Sequence, residues 1–224
     1  MSSDPTITPP PPGTEPLETV VVERPRVQFS FIRWSLTGIV RVLYRRWTRI
    51  AAHLFPENSR AEEIAQRLHI PLPDKLNMSW VTDHLAVGGR IHPADIKALA
   101  RTGITHVVDT RSEYSDDAEA LAKEHIKLLY LPTADTKPLT TEQMMQGAKW
   151  VHERMEQGGR ALIHCEHGVG RSALLTCAVL VYDGMPAQDA LLLVQQKRWQ
   201  AAPNHKQIER LREFEAALVA EQSA

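Results

Sequence analysis

The chain has 224 residues, a formal net charge of −1, and 43% hydrophobic and 24% charged residues, the balance of a soluble globular domain with extra segments. That balance gives no global electrostatic case for a nucleic-acid partner, and two cysteines, Cys165 and Cys177, are too few for a disulfide framework and fit a reducing compartment. The opening MSSDPTITPP lacks the basic and apolar regions of a secretory signal, and no run approaches about 18 uninterrupted apolar residues, so neither a signal nor a clear membrane span is expected.

Residues 1–26 hold seven of the fifteen prolines, Pro9 to Pro12 among them. They predict a disordered or polyproline tail, either a solubilising extension or a docking site for a proline-recognition module. Segment 27–55 differs in kind. Ile32, Leu36, Ile39, Val40, Leu43, Trp47, Ile50 and Leu54 share one helical face; Arg33, Arg41, Arg45 and Arg49 share the opposite one, with Arg46 at its edge. Residues 31–55 contain no acidic residue, so a basic amphipathic helix is expected. Three readings stay open: packing on the domain or a second copy, an in-plane membrane helix, or a span. Mid-segment arginines count against the last. Residues 56–76 read as a short capped helix and a proline-bounded linker.

From about Asn77 to 222 short apolar runs alternate with helical periodicity. Residues 84–89, 105–110, 126–132 and 161–165 predict strands; 93–102, 117–125, 140–157, 171–183, 186–198 and 204–221 predict helices. The alternation implies a three-layer α/β/α domain with a central, mostly parallel sheet. Sites in such folds lie off the carboxyl ends of the strands. Cys165 stands at one of them.

The loop from Cys165 to Arg171 is built for a tetrahedral anion. Gly168 and Gly170 permit the backbone angles that turn successive N–H groups inward. The following helix adds its positive end, and Arg171 offers a bidentate grip. The same field lowers the pKa of Cys165, so the cradle also makes the thiolate nucleophile. Ser172 is placed to hydrogen-bond the sulfur, and His164 to support the loop. A phosphoryl transfer also needs a proton donor for the leaving oxygen. Asp135, in the polar, proline-flanked LPTADTKPLT, suits that role, with a turn-forming aspartate as the other reading. Asp109 reads as structural, and Asp116 and Asp117 as helix-start residues. Arg111 reads as a site-ordering residue or a structural ion pair, and Cys177 as core.

His164-Cys165-x5-Arg171-Ser172 resembles the signature of cysteine-based protein phosphatases, in the dual-specificity branch. VTDHLAVGGRIHPADIKALARTGITHVVDTRSE resembles that branch's opening strands, including Gly88–Gly89. Asp135 precedes Cys165 by a spacing close to the branch's own, and RWQAAPNHKQIERLREFE resembles its closing turn and helix. The resemblance covers about residues 78–220. It implies a phosphotyrosine-phosphatase-like fold and hydrolysis of phosphomonoesters through a phosphocysteine. Catalysis falls to Cys165, Arg171, Asp135 and Ser172, phosphate binding to Glu166, His167, Gly168, Val169, Gly170 and Arg171. His167 also reads as a surface residue of the loop. No tyrosine-rich recognition segment of the larger tyrosine phosphatases is visible. Glu166 and Val169 stand where phosphoinositide phosphatases usually place lysines, which disfavours a polyanionic inositol headgroup.

The expected activity is dephosphorylation of protein tyrosine, serine or threonine. The alternatives are a phospholipid or other small phosphomonoester as substrate, a non-catalytic phospho-ligand module, or a sulfurtransferase. Zinc held by His164, Cys165 and His167 is a poor fit, and neither metal nor cofactor is expected. The expected partners are a phosphorylated protein or small phosphomonoester and, through residues 31–55, an anionic membrane surface; nucleic acid is not. The expected setting is cytoplasmic, peripheral on a membrane if that segment binds lipid.

Overall fold

The structure, a computed structural model, describes Leu43 and residues 60–68 and 76–222. The expected proline-rich tail and, apart from Leu43, the segment 27–55 lie outside the described residues. All described residues belong to one unit, Val40–Ala224. A short helix, α1 (Arg60–Arg67), stands apart in sequence from the domain that follows.

Alternation with a period of two builds the sheet. Along Ala161–His164 (β5), Ile163 enters one apolar cluster and Leu162 the other. Along His106–Arg111 (β3), Val108 and Val107 divide in the same way. Both faces are therefore apolar, as a parallel sheet covered by helices requires. With Met78–Trp80 (β1), Leu85–Gly88 (β2) and Lys127–Thr133 (β4) the strand order is β1-β2-β5-β3-β4. Only β1 runs antiparallel, against β2. The other pairs are parallel, in registers such as Val87↔Ile163 and Val108↔Ile163. The mostly parallel α/β expectation is borne out. β1 was not expected: three residues are too few to display alternation.

One face is covered by α2 (Ile96–Arg101) and α3 (Ala118–Lys123), which supply Ile96, Leu99 and Leu121. The other carries α4 (Thr141–Glu156), α5 (Arg171–Tyr182), α6 (Ala187–Lys197) and α7 (His205–Gln222), with Met144, Leu174, Val194 and Phe214 among the buried side chains. Thr140 starts α4 with a capping box, trading bonds with Gln143. Helix α5 has no exposed face: every residue from Arg171 to Val181 is buried. Cys177 is fully buried in it, and burial pushes its thiol up to about 12. The domain thus drives the N-terminus of a core helix at the C-terminal edge of the central strand.

Candidate active site

Strand β5 ends at His164 and delivers Cys165 into the turn before α5. The Cys165 amide donates to the Gly88 carbonyl at 3.3 Å, tying the turn to the end of β2. Gly168 adopts φ 68°, and a Cβ there would lie 2.4 Å from Arg198 Nη2 and 2.6 Å from the Gly88 carbonyl carbon. Only glycine meets both demands. Its N–H donates to Cys165 Sγ at 3.2 Å, the inward turn of the backbone expected from the sequence.

Cys165 is 3% exposed, and its sulfur lies 3.3 Å from Ser172 Oγ, which is 3.2 Å from the Gly88 carbonyl. One hydroxyl proton serves one acceptor at a time, so the serine can donate to Gly88 beside a thiol and to sulfur beside a thiolate. Burial pushes the Cys165 thiol up. The bonds from the Ser172 hydroxyl and backbone, the Arg171 charge and the His167 backbone more than offset it, and the thiol titrates below its ordinary range.

Arg171 is buried, and its terminal nitrogens are engaged. Nη1 and Nη2 donate to Glu113 Oε2 and Oε1 at 2.8 and 2.7 Å, a bidentate pair. Nη1 also donates to the Thr133 carbonyl at 2.8 Å, and Nη2 lies 3.2 Å from Asp135 Oδ1. Nε is buried with no acceptor among the described residues. The end of the guanidinium is thus taken by Glu113 and Thr133, with Asp135 beside Nη2. The bond from Arg171 holds the Glu113 carboxyl down at about 2.

A buried charged network backs the cradle. Arg111 donates to both Asp109 oxygens, from Nε at 3.0 Å and Nη2 at 2.9 Å, and to Asp116 Oδ1 at 2.5 Å. Burial pushes its guanidinium down, but the bonds to Asp109 and the charges of Asp109, Asp116 and Glu166 hold it up, so it stays cationic. Asp116 Oδ2 lies 2.7 Å from His164 Nε2. The structural reading of Asp109 fits this placement. Asp116 needs correcting: Asp117 caps α3, accepting from Glu119 and Ala120, whereas Asp116 turns inward to His164 and Arg111. The buried Arg111 guanidinium and His164 ring offer Asp116 a charge-paired niche that the helix start does not. Asp109, Asp116 and His164 also lie close enough to one another to hold a metal ion, but the Arg111 guanidinium already supplies the positive charge there.

Glu166 directs its carboxylate to Arg90 and Arg111, each at 3.5 Å, so its contribution to an anion site is its backbone. Arg198 holds the cradle from outside, donating to the Gly168 and His167 carbonyls at 2.7 and 3.3 Å and to Asn77 Oδ1 at 2.7 Å. Asp135 lies on the loop after β4, whose Thr136 and Lys137 carbonyls accept from Asn204 and Gln207. The structure thus brings Cys165, Arg171, Ser172, His164 and Asp135 together. It adds Glu113, Arg198, Asn204 and Gln207, to which sequence reasoning gave no role. Arg198, Asn204 and Gln207 all lie within RWQAAPNHKQIERLREFE, the stretch that resembles the closing turn and helix. Glu113, 58 positions before its partner, carried no local signal.

A family model described as dual specificity phosphatase, catalytic domain, matches residues 88–217. Dual specificity protein phosphatase 22 of Mus musculus is 32% identical over 140 residues, covering 62% of this chain and 73% of that protein. A probable rhodanese domain-containing dual specificity protein phosphatase of Dictyostelium discoideum is 28% identical over 144 residues, 63% of this chain but only 29% of that longer protein. Among solved structures, Tk-PTP in its active form superposes with a TM-score of 0.59 at 27% identity, covering 62% of this chain and 97% of that one. PTPMT1 in complex with PI(5)P shares the fold, with a TM-score of 0.62 at 19% identity, covering 65% and 99%.

Proposed function

The chain belongs to the dual specificity phosphatase family of cysteine-dependent phosphatases, and on that premise we propose that it dephosphorylates protein tyrosine, serine or threonine residues through a phosphocysteine on Cys165. The observation that carries the proposal is the sulfur's setting: an inward N–H from Gly168 at 3.2 Å, Ser172 Oγ at 3.3 Å, and a thiol held below its ordinary range.

In the first step the Cys165 thiolate attacks phosphorus while the bond to the leaving oxygen breaks. The loop amides 166–171 and Arg171 stabilise the transferring group. Asp135 gives its proton to the leaving oxygen. In the second step water attacks the phosphorus of the phosphocysteine, its proton passes to the Asp135 carboxylate, and the P–S bond breaks. Ser172 donates to the departing thiolate, and inorganic phosphate leaves. His164 holds the strand end, and Glu113 holds the arginine. No step draws on a metal.

Hydrolysis of a small aryl phosphate in EDTA tests the mechanism. Wild type turns over and Cys165→Ser does not; an active Cys165→Ser protein, or activity that requires added metal, overturns it. A panel of phosphotyrosine, phosphoserine or phosphothreonine, phospholipid and sugar phosphate then sets the substrate class.

A second reading places the substrate at a membrane, because residues 31–55 carry five arginines and no acidic residue. An in-plane helix with that composition would hold the domain on anionic lipid. Among the described residues no helix is long and apolar enough to cross a bilayer.

A further inference from the structure

We propose that Gln207 is a positioning residue that fixes the loop of Asp135 over the cradle and so governs proton delivery to the leaving group; this rests on Asp135 being the acid. The sequence pattern calls for an apolar side chain at this position. Gln207, Leu211, Phe214 and Leu218 form the buried stripe of α7, and Gln207 is 1% exposed. A buried amide persists there only because its polar atoms are satisfied.

Its bonds show what it does. Oε1 accepts from the Asn204 amide at 2.9 Å, and the Gln207 amide donates to Asn204 Oδ1 at 3.1 Å, a reciprocal start to the helix. That uses the acceptor ends of both side-chain amides. The donor ends both point into the acid loop: Asn204 Nδ2 reaches the Thr136 carbonyl at 2.7 Å, and Gln207 Nε2 reaches the Lys137 carbonyl at 3.0 Å. Thr136 sits at φ 65°, and the Lys137 amide closes a turn onto the Ala134 carbonyl at 3.1 Å. Asp135 is therefore carried on a turn whose next two carbonyls are held by α7 and by Asn204 just before it. On its other side the Gln207 amide abuts the exit of the cradle, since a Cβ on Gly170 would lie 2.9 Å from Oε1. One buried side chain spans the anion loop and the acid loop and sets their spacing.

A positioned proton donor is worth about 10²- to 10⁴-fold in rate, and a misplacement of about 1 Å can cost about 10²-fold. The test compares an alkyl phosphate, whose leaving group needs the proton, with an aryl phosphate of an acidic phenol, which scarcely does. Gln207→Met keeps the volume and loses the bonds. Gln207→Glu keeps an acceptor for Asn204 but sets an oxygen against the Lys137 carbonyl, so the helix start survives. Both variants are expected to lose about ten-fold or more in kcat/KM, which reports only the step that expels the leaving group, on the alkyl ester, to lose far less on the aryl ester, and to retain competitive inhibition by inorganic phosphate. Equal losses on both esters, or no loss on either, overturn the proposal. Asp135→Asn is measured alongside. If it shows no leaving-group dependence, the assignment of the acid fails; if it does and both Gln207 variants do not, Asp135 stands and the role of Gln207 falls.

Discussion

At the scale of single residues, the site turns on opposing effects around one sulfur. Burial alone would hold Cys165 as a thiol, and the bonds from Ser172 lead the effects that reverse it. Ser172→Ala is therefore expected to move the pH profile of inactivation by iodoacetate to higher pH. It should also slow phosphocysteine breakdown about ten-fold, the worth of one hydrogen bond to a charged group. An unmoved profile would hand the effect to Arg171. Glu113 adds nothing to such a profile. Its carboxyl is held down at about 2, so the ion pair with Arg171 is complete above the ordinary carboxylate range and is lost only as pH falls through about 2. Cys165, Arg171 and Ser172 were legible because their roles are set by local spacing, a strand end followed within one loop by a helix start. Glu113 was not, since it meets Arg171 only through the order of β3 and β5 in the sheet.

At the scale of elements, the cradle is as much a product of its neighbours as of its own sequence. Gly168 combines φ 68° with backbone and guanidinium at contact distance. Gly168→Ala is expected to lower stability by about 1–3 kcal/mol, the usual cost of a strained backbone position, and to abolish turnover. Urea unfolding followed by circular dichroism measures the first, and unchanged stability would mean that the Gly88 backbone yields as well as Arg198. Strand and helix placements were legible to within a few residues because Leu162 and Ile163, or Val107 and Val108, face opposite clusters. Gln207 was hidden for the converse reason: periodicity marks position 207 as buried but cannot say that an amide there reaches a carbonyl 70 positions earlier.

At the scale of the whole molecule, a domain that builds its site from strand ends is joined to a segment of quite different chemistry. If residues 31–55 lie in the headgroup region, full-length protein should sediment with anionic vesicles at low salt and be released as salt rises. Deletion of 27–55 should abolish sedimentation and leave aryl phosphatase activity intact. Protein that stays in the supernatant would assign the segment to packing on the domain or on a second copy. Helix α5, buried on every side, has a consequence of another sort. The two ends of the cysteine range lie one loop apart: Cys165 in the turn that leads into the helix, held below the ordinary thiol range, and Cys177 inside it, pushed up to about 12. At neutral pH the native chain therefore offers a small alkylating agent one thiol, and the unfolded chain two. The stoichiometry of labelling reads out the fraction folded, so the molecule contains its own titration of native state against denatured state without any added probe.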